Sequence, residues 1–237
     1  MNFACVCYGD KYSVEYVQKL YNMVKRNTTL PINFVVFTDH VKMHKMVKGD
    51  IDIRKFPVED LNGWWNKLQL FHPDVNLPGD TLYTDLDVVI TDNIDSFFTH
   101  EEDTKVVLMR DFNPTTKGFN SSIMRFNNEV MTPCVWNLYL KEKKVLDKLQ
   151  GDQNVITQCI KQVPDKFKCF PDEWTFSAKW YDRANPRFGR STWTFKQYPG
   201  AKVAVFHGKP DPLQLVDVHP YESYDMDTIA WVKKHWK

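Results

Sequence analysis

At 237 residues the chain has room for one substantial α/β domain, and a formal net charge of +1 with eight tryptophans and sixteen phenylalanines excludes a disordered or uniformly polyionic protein. No apolar run reaches the length needed to span a bilayer, and the amino terminus, Met1 to Cys7, lacks the charged-then-apolar layout of a secretion signal. Cys5, Cys7, Cys134, Cys159 and Cys169 show no paired zinc-type spacing and read as reduced thiols of a soluble, cytoplasmic protein.

Asn2 to Tyr8 reads as a buried strand ending in Gly9-Asp10, and Val14, Val17, Leu20, Tyr21 and Val24 follow at helical spacing. Strand, glycine-containing loop and helix open a parallel α/β sheet. Ile32 to Thr38 is a second strand ending in Asp39-His40, and Ile51 to Phe56 a third. Open parallel sheets bind ligands beyond the carboxyl ends of their strands, which here means Tyr8 to Tyr12 and Thr38 to His40. Tyr12 is placed to stack on a base or to pack against its own helix, and Asp10 or Asp39 to accept hydrogen bonds from base or ribose.

Trp64 to Phe71 reads as a helix with a strongly apolar side, closed by His72-Pro73. Lys67 is its polar residue best placed to reach back to a site; the alternative is a solvated lysine. Thr81 to Ile90 reads as the central strand, interrupted by Asp85 and Asp87. Side chains two apart on an extended strand share a side, so these carboxylates converge. Converging buried carboxylates call for a cation between them or for a strand end at solvent. Magnesium, manganese or calcium suits such hard oxygen ligands and leaves positions for substrate phosphates.

Val106 to Met109 is a further strand, and Asp111-Phe112-Asn113-Pro114 leads to Gly118. Phe119 to Phe126 is a strand whose first residues, Asn120-Ser121-Ser122, suit the hydroxyls of a sugar. Thr132 to Gln150 reads as a helix, and Gly151-Asp152-Gln153-Asn154 as the start of another over Val155 to Lys161, with Asp152 as its N-cap. From Arg183 to Lys209 there are six lysines and arginines and no acidic residue, interleaved with Phe188, Trp193, Phe195 and Tyr198. A strand from Val203 to Phe206 then delivers His207-Gly208-Lys209-Pro210: histidine can ligate a metal, glycine admits a phosphate to the backbone, and lysine supplies counter-charge.

Tyr83-Thr84-Asp85-Leu86-Asp87, Phe119-Asn120, Asp152-Gln153 and Phe206-His207-Gly208-Lys209-Pro210, in that order, resemble the GT-A glycosyltransferases and are most similar to the glycogenin-like and galactosyltransferase-like retaining branch. Two elements depart from that pattern. The late motif is compressed to His207-Gly208-Lys209, and Asn120-Ser121-Ser122 replaces the usual asparagine, small residue and glycine. The resemblance implies one GT-A, Rossmann-like domain with a mixed, mostly parallel sheet flanked by helices. Residues 1–110 would form the nucleotide-binding half, and 111–237 the acceptor side with its metal and phosphate element. It further implies hexosyl or pentosyl transfer from a nucleoside-diphosphate sugar, UDP-linked, with manganese or magnesium held by Asp87 and His207 and shared by Asp85. Lys67, Gly208 and Lys209 would face the diphosphate; Tyr8, Gly9, Asp10, Tyr12 and Asp39 the nucleoside; Asp152, Gln153 and Asn120 the reacting sugar. An inverting enzyme would draw its base from Asp152, Asp111, Asp172 or Glu173.

The acceptor is then a glycan or, since the basic aromatic segment suits a polyanion with extrudable bases, a hydroxymethylated base in DNA. A metal-dependent nucleotidyltransferase and an inactive binding module are the rival readings. The single glycine in Cys7 to Lys11 argues against the first, and the Asp85, Asp87 and His207 set against the second.

Overall fold

The computed structural model describes residues 1–113, 118–149, 151–178, 199–217 and 226–237. At its centre β1 (Asn2–Cys7) is buried throughout. Alternate side chains of a strand point to opposite faces: Phe3, Cys5 and Cys7 enter the apolar cluster on one side of the sheet, Ala4 and Val6 the cluster on the other. A strand apolar on both faces must be covered on both. Val17, Leu20, Met23 and Val24 of α1 (Val14–Arg26) cover the first face. β2 (Asn33–Thr38) repeats the alternation, and β3 (Ile51–Arg54), half-buried, forms the edge. All five cysteines are free thiols, with Cys5 and Cys7 sharing one face as expected.

The later strands are β4 (Thr81–Thr84), β5 (Val88–Ile90), β6 (Val106–Arg110), β7 (Phe119–Phe126), β8 (Phe167–Cys169), β9 (Thr175–Ser177) and β10 (Val203–Val205). The expected single α/β domain is present, built on a seven-stranded sheet ordered β3-β2-β1-β4-β7-β6-β8. Among its described strands only β7 runs against its neighbours. The α-helices among the described residues are α1, α2 (Asp95–Thr99), α3 (Asn128–Met131), α4 (Asn137–Leu146), α5 (Asp152–Ile160), α6 (Pro212–Asp217) and α7 (Met226–His235). Among the described residues no helix is long and apolar enough to cross a membrane.

Four expectations are corrected. Thr81 to Ile90 is not one strand: β4 belongs to the large sheet and β5 to a separate three-stranded sheet, β5-β10-β9. Gly63–Phe71 winds as a 3₁₀ helix rather than an α-helix. The helix expected from Thr132 starts earlier, at Asn128, where the Asn127 side chain accepts the Glu129 N–H. It passes Pro133 through a wide π turn, Thr132–Trp136, since proline offers no N–H to a regular ladder. Finally, Gly151 is the N-cap of α5, and Asp152 is the first residue of the helix.

One buried arginine fixes the loop between α2 and β6. Arg125 on β7 is fully buried and donates to the carbonyls of Phe98, His100, Glu101 and Thr104. A guanidinium carries enough donors to satisfy that whole turn at once.

Candidate active site

The break between β4 and β5 builds the site. The Asp85 N–H donates to the Ser122 carbonyl on β7 at 2.9 Å, whereas the Asp87 carbonyl accepts from Phe206 N–H, just past β10, at 3.0 Å. The two carboxylates therefore straddle the junction of the two sheets, with Leu86 as the pivot. They converge on one cleft, but through a change of sheet and not through strand alternation. β7 is irregular beside them: Met109 pairs with Asn120 and Leu108 with Met124, so Ser121, Ser122 and Ile123 have no counterpart on β6. Such bulges re-aim side chains next to functional sites.

Lys67 closes the floor. Its ammonium lies 2.8 Å from Asp85 Oδ1, 2.9 Å from Asp152 Oδ2 and 3.0 Å from Ser121 Oγ. Ser121 Oγ donates in turn to Asp152 Oδ2 at 2.8 Å, and Tyr83 OH to Asp85 Oδ1 at 2.6 Å. The lysine is buried, not solvated. Burial alone would lower its pKa, but the Asp152 and Asp85 carboxylates outweigh this and raise it above the ordinary lysine value. Burial would likewise raise Asp85; Lys67, with hydrogen bonds from Tyr83 and Ser122, instead holds it low.

Asp87 is the opposite case. Burial first, and then repulsion by Asp85, push its carboxyl up to about 6, against the Tyr12 hydrogen bond and the charges of Lys11 and Lys67. Tyr12 OH donates to Asp87 Oδ2 at 2.8 Å, and the Tyr12 ring packs on Tyr16 with centroids 4.8 Å apart. Tyr12 is thus buried against its own helix rather than offered to a base. His207 sits edge-on to Phe112, with ring centroids 5.1 Å apart. Gly208 follows at φ +64°, a conformation that favours glycine.

The cleft holds about 350 Å³ and is lined by Tyr8, Tyr12, Lys67, Asp85, Asp87, Asn120, Asp152, Gln153, His207 and Gly208 among the residues singled out in the sequence. Gln153 Nε2 donates to Asp111 Oδ2 at 3.2 Å. Gly9 and Asp39 line an adjoining cleft of about 640 Å³ that shares Tyr8, and the Gly9 N–H donates to both Asp39 oxygens at 3.1 and 3.0 Å. Asp10 and Lys209 are exposed and line neither cleft. Asp172 lies on the surface beside Arg110, at 3.2 Å. Of the basic aromatic segment, residues 183–198 lie outside the described residues, while Lys202 donates to the Asn93 carbonyl. Sequence reasoning missed Trp64, Lys11 and Asn154 in the cleft lining; an exposed tryptophan in an apolar run is indistinguishable in sequence from a core one.

Asp85 is taken up by Lys67, and among the described residues no group of three or more His, Cys, Asp and Glu side chains is arranged to hold a metal ion. The chemistry of Asp87 nevertheless fits a divalent cation: a positive charge against it would offset both the burial and the repulsion that disfavour its anion.

No protein-family description matches the chain, and no curated protein does. Solved structures do match. The glycosyltransferase GlyE of Streptococcus pneumoniae TIGR4 superposes with a TM-score of 0.68 at 15% identity, over 98% of this chain and 60% of that one. The fold is a GT-A-type glycosyltransferase fold. The galactosyltransferase LgtC, solved with donor and acceptor sugar analogues, matches at TM-score 0.62 and 12% identity over 99% and 95% of the two chains. Mouse xyloside xylosyltransferase 1 matches at 0.56 and 15% over 89% and 98%. The chain thus spans 60% of the GlyE chain but nearly all of the other two.

Proposed function

We propose that the chain is a glycosyltransferase that moves a sugar from a nucleoside diphosphate, UDP by resemblance, to a hydroxyl of a glycan. The observation that carries this reading is the floor of the cleft. There a buried ammonium holds Asp85 and Asp152, drawn from distant parts of the chain, beside a third carboxylate, Asp87, which burial and Asp85 push up despite the charges of Lys11 and Lys67. A buried charge cluster is costly to desolvate; one lining a cleft of a glycosyltransferase fold supports donor chemistry.

In this reading residues 1–110 carry the nucleotide and 111–237 the acceptor side. The larger adjoining cleft, at the ends of β2 and β3, takes the nucleoside between Tyr8, Gly9 and Asp39, and Asp10 reaches it only by a loop movement. Asp87 and His207 would hold manganese or magnesium, which when bound supplies positive charge against the departing diphosphate. Lys67 fixes Asp152 beside Ser121, so that Asp152, Gln153 and Asn120 meet the sugar as its bond to the diphosphate weakens and positive character builds on its ring. Gly208 leaves the backbone open to a phosphate, and Lys209, exposed beside it, can fold over the diphosphate once it is bound.

The test is release of free nucleoside diphosphate, scored by mass spectrometry over a panel of UDP-hexoses, UDP-xylose and other nucleotide sugars with manganese or chelator, in wild type and Asp87→Ala. One donor turned over, with loss of at least about a hundredfold in the variant, is the expected result. Pyrophosphate release in its place would assign a nucleotidyltransferase, and nucleotide binding without turnover of any donor would leave only a binding module.

A further inference from the structure

Trp64 sits at the mouth of the charged cleft and is 51% exposed. It precedes Lys67 by one turn of the 3₁₀ helix, in which residues three apart lie in line. The row Trp64, Lys67, Leu70 therefore runs from cleft mouth to charged floor to apolar core. The ring is mounted, not loose. Its neighbour Trp65 stacks on Tyr139 with centroids 6.0 Å apart at 22°. Its own pyrrole edge rests on the backbone of Gly151, where an added Cβ would come within 3.1 Å of the indole nitrogen and 3.2 Å of Cδ1. A side chain at Gly151, the N-cap of α5, would crowd the indole. A large indole held rigidly at a polar cleft, with half its surface in water, offers a flat apolar platform beside hydrogen-bonding groups.

We propose that Trp64 is an acceptor subsite that stacks a pyranose ring of an uncharged glycan. This rests on the glycosyltransferase reading and adds to it the residue that holds the acceptor and the acceptor's lack of charge. The donor's reacting end occupies the floor at Lys67 and Asp152, and its nucleoside the adjoining cleft, which leaves the mouth to the acceptor. The C–H face of a pyranose carries slight positive character and matches the negative face of the indole. Asn154, exposed on the next residue but two of the same rim, and Gln153 supply amides for hydroxyls. Within the described lining charge disfavours a polyanion: Asp85, Asp87 and Asp152 stand against Lys11 and Lys67, and Lys67 is already paired with two of these carboxylates. DNA phosphates would meet net negative charge here.

The test is saturation-transfer NMR and calorimetry of the full chain with UDP and manganese present, against lactose, cellobiose, maltose and chitobiose, with oligothymidylate as the nucleic-acid probe. Trp64→Phe keeps a ring, and Trp64→Leu keeps bulk without one. We expect at least one disaccharide to bind wild type and Trp64→Phe and to bind Trp64→Leu about fivefold to tenfold more weakly. The thermal midpoint of each variant should stay within about 2 °C of wild type, as for other surface changes. Absence of binding by all four saccharides, equal binding to Trp64→Leu, or loss of oligothymidylate binding in its place overturns the proposal. The two readings fail separately. Donor turnover with saccharide binding indifferent to Trp64 removes only the stacking subsite, whereas ring-dependent saccharide binding without turnover of any donor keeps the subsite and removes the transferase.

Discussion

Lys67 is one side chain on which three segments depend. Replacing it by methionine keeps the volume and leaves Asp85 and Asp152 buried together without a counter-charge, which should cost about 3–5 kcal/mol of stability. Lys67→Met with Asp152→Asn should recover part of that loss, with a coupling above about 1 kcal/mol by urea denaturation; strict additivity would show that the cluster is not one unit. Asp95 offers a simpler test by pH. Burial raises its carboxyl, but hydrogen bonds from Thr28, Thr29 and Asn93 outweigh this and hold it at about 2. A folded pKa below the unfolded one stabilises above the unfolded value of about 3.9, and that gain is lost as pH falls toward the folded value. The urea midpoints of wild type and Asp95→Asn should therefore differ most above about pH 5 and converge between about pH 4 and pH 2. An unchanged gap at pH 2.5 would contradict the assignment. Sequence made Lys67 visible as the polar residue in an apolar run but not its partners. Its reading of Asp152 as an N-cap failed, because an aspartate before a helix looks the same whether it caps its own backbone or, as here, turns to Ser121 and Lys67.

At the level of elements, the first turn of α1 ties the two arms of the proposed cation site together. Tyr12 donates to Asp87, its ring packs on Tyr16, and Tyr16 OH donates to the Asp211 carboxylate. Asp211 also accepts the Gln214 N–H while Gln214 accepts the Asp211 N–H, a reciprocal cap at the start of α6. His207 to Lys209 lie between β10 and that cap. Tyr16→Phe should cut manganese affinity by about tenfold, the usual cost of losing an outer positioning contact, while lowering stability by only about 1–2 kcal/mol. Calorimetric manganese binding equal to wild type would mean that the tie is structural alone. The elements legible in sequence were those with long patterns: β1 and β2 with both parities apolar, and α1 with its helical stripe. The three-residue strands β8 and β9 are too short and too mixed to show a pattern, whereas β10, equally short, stood out as an unbroken apolar run. The β4–β5 run reads as one strand because a strand that changes sheets keeps its β-branched residues on both sides of the break.

Across the whole molecule, a formal net charge of +1 conceals a cleft in which three carboxylates face two lysines. The gathering of Asp85, Asp87, Asn120, Asp152 and His207 into that cleft was implied by the order of motifs in the chain, but the sign of its field was not, since that depends on how Lys67 is shared. A diphosphate entering an acidic cleft is repelled unless a cation accompanies it. UDP should therefore bind at least about tenfold more tightly with manganese than with chelator, a difference of about 1.4 kcal/mol. Asp87→Asn separates charge from architecture, because it keeps the Tyr12 hydrogen-bond acceptor and removes one negative charge. The variant should lose most of the gain from manganese, yet bind UDP without cation as well as wild type or better, for lack of repulsion. Isothermal titration under both conditions reads the two effects at once. A parallel fall of both affinities would assign Asp87 to the architecture of the cleft, whereas the crossed pattern places its charge opposite the phosphates.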